Sequence, residues 1–120
     1  MLEKKKRVRN MTWKDYGITK YRYVELKAFC LQYKEKKKKI QNVMCKKDCE
    51  MIEQAAKAAS EELYLYIIKS VTNDLSYTFI EYDEMIGRIP IGKTDFYGYR
   101  RLFYHYLDLI KNGDKSGMLS

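Results

Sequence analysis

A single proline, Pro90, and six glycines punctuate this 120-residue chain, and they leave long stretches without a helix breaker. Such stretches favour helices, because Gly costs conformational entropy inside a helix and Pro removes a backbone donor. From Ile18 the run ITKYRYVELKAFCLQYKEKKKKIQNVM contains neither residue. Leu26, Phe29, Tyr33, Ile40 and Met44 recur in it at helical steps and form one apolar stripe. The spacing predicts a long basic helix over 18–47, with a frayed stretch or a turn between Lys36 and Lys47, where KEKKKK interrupts the stripe. The segment before it, 1–17, reads as a basic flexible tail.

Residues 48–112 read as one further helical domain. Asp48 is a suitable N-cap, with Glu50 and Glu53 following where the helix dipole favours acids. Ile52, Ala56, Ala59, Leu63, Ile67 and Val71 make the buried stripe. Ser60-Glu61-Glu62 is equally able to cap a fresh helix, so 49–72 is one helix or two. VTND at 71–74 ends the stretch with turn formers. In LSYTFIEYDEMIGRIPI, Ser76 suits a short helix through Tyr82. Alternation of Phe79, Glu81 and Asp83 with Ile80 and Tyr82 suits a strand just as well, so a short hairpin near 79–91 is the alternative. Gly87 and Pro90 place a turn before a last helix from Lys93 to Lys111. Gly92 stands at its N-cap, Asn112-Gly113 at its stop, and 113–120 as a flexible tail. The fold class is therefore all-α: a long N-terminal helix plus a C-terminal helical bundle. An apolar fraction of 46% supports a folded core.

Charge is segregated. Residues 1–47 carry 16 Lys/Arg against 4 Asp/Glu, 48–87 carry 2 against 9, and 88–120 carry 6 against 3. Basic surfaces attract polyanions by releasing condensed counterions, and nucleic acid is the foremost of these. The Lys36–Lys39 run also reads simply as a solvated helix face. MLEKKKRVRN lacks an apolar segment behind its charges, and no run is long and apolar enough to span a bilayer. With three cysteines, an odd number, the expectation is thiols in a reducing cytoplasm and no membrane.

The chemistry-bearing residues point away from catalysis. Cys45 and Cys49 share a helix face, but Cys30 and His105 are remote, and zinc sites use tighter paired spacings. IGKT lacks the upstream glycine of a phosphate loop. The chain reads as no enzyme, with no metal and no cofactor.

On a helical wheel the last helix places Phe96, Tyr99, Phe103, Leu107 and Ile110 on one side, as core. Lys93, Thr94, Tyr97, Arg101, Tyr104 and Asp108 fall opposite, with Arg100 and Lys111 at the border. A recognition helix has this layout: an apolar side on its supports and N-terminal polar side chains on bases and phosphates. Gly98, costing about 1 kcal/mol relative to Ala in a helix, suggests a close approach by another helix or by a DNA backbone.

The phrases Leu63-Tyr64, Tyr66-Ile67, Lys69, Val71-Thr72 and Leu75-Ser76-Tyr77 are followed by Ile89-Pro90, Lys93, Phe96-Tyr97, Arg100-Arg101, Phe103 and Leu107. In this order they resemble small phage and prophage proteins of Gram-positive bacteria related to RinA/ArpU-type transcriptional regulators. The resemblance covers about the last 50 residues before the tail. It implies a C-terminal helix-turn-helix similar to sigma-factor region 4, and a DNA-binding regulator acting on phage operons in the bacterial cytoplasm. Ser76–Tyr82 would be the supporting helix and Lys93–Lys111 the recognition helix. Lys93, Thr94, Tyr97 and Arg101 would contact double-stranded DNA, with Arg100 and Arg88 on phosphates. The Lys4–Arg9 tail and the Lys36–Lys39 run would add non-specific affinity. Two departures stand out: Glu81–Arg88 is long for the turn of such a motif, and Gly92 replaces the usual Ser or Thr cap. Host RNA polymerase and a second copy of the chain are further partners left open. The competing readings are a helical protein–protein interaction module and a small DNA-packaging subunit.

Overall fold

The computed structural model describes the backbone of residues 6–119 and the side chains of residues 6–113. A 3-10 turn, Val8–Asn10, is followed by α1 (Lys20–Leu31), α2 (Tyr33–Lys37), α3 (Val43–Ala59), α4 (Tyr64–Asn73) and α5 (Tyr77–Ile80). A two-stranded antiparallel hairpin, β1 (Tyr82–Asp83) and β2 (Gly87–Arg88), leads to α6 (Lys93–Leu119). The fold is thus mainly helical, and the segment around 79–91 holds both the short helix and the hairpin. No helix among the described residues is long and apolar enough to cross a membrane.

The basic N-terminal helix is broken. Thr19 caps α1 by accepting a hydrogen bond from the Arg22 amide at 3.1 Å. α1 stops at Leu31, and α2 turns back so that Tyr33 reaches α3, where its hydroxyl donates to Glu53. Of the expected stripe, Leu26 is buried and Phe29 and Tyr33 are half-buried, while Ile40 and Met44 are exposed. α3 begins before Asp48. Asn42 is the N-cap, accepting from the Cys45 amide at 3.0 Å. Asp48 instead lies inside α3 and accepts from Lys36 at 2.8 Å.

The stripe Ile52, Ala56, Ala59, Leu63, Ile67 and Val71 is buried throughout, and it runs across two helices. Ser60 separates them, its hydroxyl accepting from the Leu63 amide at 3.1 Å. α4 closes at Asp74, which takes a left-handed φ of 54°, a conformation that Asp tolerates better than most side chains. Ser70 is fully buried and donates to the Leu75 carbonyl at 2.6 Å.

The hairpin is fastened to α4. Tyr66 donates to the Gly87 carbonyl at 2.8 Å, and Lys69 donates to Asp83 at 2.6 Å. Gly87, at φ 98°, closes the loop Glu84–Ile86 in a conformation that side chains with a Cβ avoid. Asp83 also accepts from the amides of Met85 and Ile86, at 2.7 and 3.0 Å. Lys69 first, and these two amides next, hold its carboxyl below the usual carboxylate range. A depressed pKa contributes stability above the unfolded value of about 3.9, and that contribution is lost as pH falls through the folded value. The protection of the Met85 and Ile86 amides, measured relative to intrinsic exchange, is therefore expected to fall below about pH 4. Asp83→Asn should remove that acid step.

α6 is the central helix. It packs most extensively on α3, and also on α1, α4, α5 and the Val8–Asn10 turn. Phe96, Phe103 and Leu107 are fully buried, while Tyr99 and Ile110 are half-buried. The side of α6 opposite this core is not all solvent-facing. Tyr104 is only 3% exposed and lies edge-on to both Phe103 and Tyr23, and Asp108 accepts from Arg22 at 2.6 Å. The wheel assumed burial on one side, whereas α1 and the N-terminal segment cover the second. The backbone also stays helical through Asn112-Gly113, with Gly113 not adopting the positive φ of a helix stop.

The N-terminal segment differs most from a flexible tail. Residues 1–5, including Lys4 and Lys5 of the basic run, lie outside the described residues. From Val8 the chain is docked along α6. Trp13 packs on Tyr23 and Tyr104 at ring-centroid distances of 4.7 and 5.8 Å, and Tyr16 stacks on His105 at 4.5 Å. Thr12 and Asp15 exchange hydrogen bonds that fix the turn between them.

Candidate nucleic-acid interface

The structure divides the six expected DNA contacts into three settings. Lys93 and Thr94 are exposed in the first turn of α6, and Lys93 has no ion-pair partner among the described residues. Arg88 is exposed on β2, in a 3.5 Å pair with Glu81 that contributes little in water. Tyr97, Arg100 and Arg101 come together, half-buried, in an open cleft of about 310 Å³ whose remaining walls are Trp13 and Tyr23.

Helical geometry explains the cleft. Tyr97 lies one turn before Arg100 and Arg101, so their side chains share one flank of α6. The Tyr97 hydroxyl accepts from the Tyr77 amide at 2.9 Å, which fixes the ring. The Arg100 guanidinium lies over that ring, 4.6 Å from its centroid, and donates to the Ser70 hydroxyl at 3.3 Å. Arg101 turns the other way. It donates to the carbonyls of Met11 and Arg9, at 2.8 and 3.1 Å, and pins the N-terminal segment. Tyr97, Arg100 and Arg101 are thus partly committed to the fold, and are less free than a bare recognition-helix face. Neither guanidinium has a carboxylate partner among the described residues. Both charges stay uncompensated in a half-buried place.

Beside the start of α6, Arg7 and Arg9 line a second groove with Ile91, Asp95 and Tyr99. Arg9 pairs with Asp95 at 3.6 Å. α5 and α6 are separated by residues 81–92, so the long connection seen in the sequence is the hairpin itself.

The Lys36–Lys39 run is mostly spent internally. Lys36 pairs with Asp48 and lies over the Phe29 ring, and Lys37 pairs with Glu53. Burial pulls the Glu53 carboxyl up, but the hydrogen bonds from Lys37 and Tyr33 outweigh it and hold the group below the usual range. Lys27 likewise reaches Asp74 at 3.3 Å. The basic first third and the acidic middle of the chain therefore neutralise each other in part. Cys30 is fully buried and burial pushes its thiol well above the ordinary range; Cys49 is buried too and donates weakly to the Tyr33 carbonyl. His105 keeps a buried Nδ1 with no hydrogen-bond partner.

The sequence reading missed Trp13 and Tyr23 as walls of the cleft. A tryptophan and a tyrosine, Trp13 and Tyr16, amid the basic residues of the tail were the available signal, since large rings seldom stay in a solvated segment. No protein-family model, no curated protein and no solved structure matches this chain.

Proposed function

We propose that this protein is a DNA-binding regulator of the phage type that its C-terminal phrases resemble, with α6 as the reading element and the hairpin beside it as a wing. The observation that carries the reading is the set of cations without carboxylate partners along the N-terminal half of α6: Lys93 in the open, Arg100 and Arg101 in the cleft. Cations left uncompensated on one flank suit a phosphate backbone, and the positive end of α6 adds to them. Lys93 and Thr94 reach the duplex first, Arg88 follows on the hairpin, and Tyr97, Arg100 and Arg101 act from the cleft. For a second copy, the exposed Tyr21, Val24 and Leu31 of α1 offer an apolar surface.

The test is anisotropy of labelled duplex DNA across a salt series. The logarithm of the affinity is expected to fall linearly with the logarithm of salt, by about 0.9 per phosphate contact. Lys93→Gln should weaken binding of all sequences and flatten that slope by about one contact. Absence of duplex binding at low salt, or binding indifferent to salt, would sink the reading. The alternative, a protein-contact module, is favoured by Phe79, Tyr82 and Met85, exposed by 68, 62 and 93% around the hairpin. Its signature would be association with RNA polymerase that survives nuclease treatment.

A further inference from the structure

We propose that the cleft between the N-terminal segment and α6 binds a single nucleotide unit, with the phosphate on Arg100 and Arg101 and the base against Trp13, Tyr23 and Tyr97. This goes beyond duplex binding and does not depend on it.

The cleft holds about 310 Å³, at the lower end of the roughly 300–1,000 Å³ of small-molecule sites. That volume is of the order of one base with its phosphate. Its chemistry is two-sided. One part is aromatic: Trp13, Tyr23 and Tyr97 line the cleft and are each half-buried, with one face of Tyr97 taken by Arg100. Every nucleobase has a π-face that stacks on such rings. The other part is cationic. A guanidinium carries five N–H donors. Arg100 spends one on Ser70, and Arg101 spends two on backbone carbonyls. The rest are unclaimed, and no carboxylate among the described residues competes for them.

Two further donors are idle. Neither the Trp13 indole N–H nor the Tyr23 hydroxyl has a hydrogen-bond partner among the described residues. Such groups give the orientation that a planar ligand with polar edges needs. An inorganic anion would leave the rings unused, and an apolar ligand would leave the guanidinium charges unanswered. The positions are also rigid: Ser70 and the Tyr97 ring hold Arg100, the Tyr77 amide holds Tyr97, and Arg101 is held by the main chain. A prearranged site loses less entropy on binding.

The same chemistry is offered by a free mononucleotide and by one unit of a single strand. The 120-residue chain has one tryptophan, and it lines the cleft, so its emission reports occupancy without any label. The titrants are adenosine 5′-monophosphate, a short oligothymidylate, inorganic phosphate and adenosine. Saturable quenching is expected with one or both of the first two, at an affinity about tenfold or more above phosphate or adenosine alone, as a charge-assisted hydrogen bond requires. Response to the monophosphate assigns a free nucleotide, and response to the oligonucleotide alone assigns a strand.

Arg100→Gln is expected to weaken binding by about tenfold or more. Unchanged Trp13 emission of the ligand-free variant would show that the cleft is intact. Tyr23→Phe, which removes only the idle hydroxyl, should weaken binding by a few-fold at most. The proposal fails if no arm quenches saturably, if phosphate alone matches the nucleotide, or if Arg100→Gln in an intact cleft binds as the wild type does. Duplex anisotropy, measured on the same protein, can fail or succeed independently of all these outcomes.

Discussion

Gly98→Val is expected to detach the N-terminal segment from α6 while leaving the helix itself formed. A Cβ at position 98 would lie 2.7 Å from the Arg9 Cα and 2.9 Å from the Val8 carbonyl oxygen. Both are main-chain atoms and neither can rotate aside. Valine is a better helix former than glycine, so α6 gains a few tenths of a kcal/mol while the contact loses about 1–3 kcal/mol to overpacking. The segment's other anchors, the Arg101 hydrogen bonds and the Trp13 and Tyr16 ring contacts, lie close to the clash, and detachment is the expected way to relieve it. Arg101 would lose its two carbonyl acceptors, and Trp13 would leave Tyr23 and Tyr104. Hydrogen exchange should then show lost protection over residues 8–17, and tryptophan emission should shift to the red. Unchanged protection in that stretch would mean that the close approach is not what Gly98 serves.

Phe103→Ala is expected to be the most destabilising single change in α6. The ring is fully buried, and Tyr104 lies edge-on to it at 5.0 Å. Truncating a buried Phe to Ala costs about 3–5 kcal/mol, in lost transfer energy and in the cavity left behind. A domain of this size has about 5–15 kcal/mol in total. The variant should therefore unfold at a much lower denaturant concentration with an unchanged slope. Leu109→Ala, at a residue 50% exposed on the same helix, should fall within about 0.5 kcal/mol of wild type and serves as the control. Equal effects at the two positions would contradict the burial described for α6.

Local periodicity made the middle of the fold legible. The stripe from Ile52 to Val71 keeps its spacing through Ser60, so its burial was readable, and the break at Ser60 was one of the two alternatives that the spacing left open. The start of α3 was misplaced because Asp48 is an attractive cap, while Asn42, the actual one, sits at the end of a lysine run. Tyr104 and Asp108 were misread because a wheel ranks faces of one helix and cannot see a second layer over the polar face. Gly98 was legible only in part: a glycine inside a helix implied a close approach by another helix or a DNA backbone, whereas its neighbour is the main chain of Val8 and Arg9. The cleft was legible in half. Tyr97, Arg100 and Arg101 follow from the helix, but Arg101 meets Met11 across 90 residues, and no local pattern encodes such a pairing.

That long separation also orders the events of folding. Bringing distant parts of a chain together costs loop-closure entropy, which must be met before the contact stabilises anything. α3 and α4 are neighbours in sequence and pair with little such cost. The strip from Val8 to Met11 can settle only once α6 stands complete with Gly98 and Arg101 in place. The wall carrying Trp13 is therefore expected to be among the last parts to form and among the first to be lost under mild denaturing stress. A ligand of the cleft would therefore favour the molecule with its N-terminal segment docked over any state in which that segment is undocked.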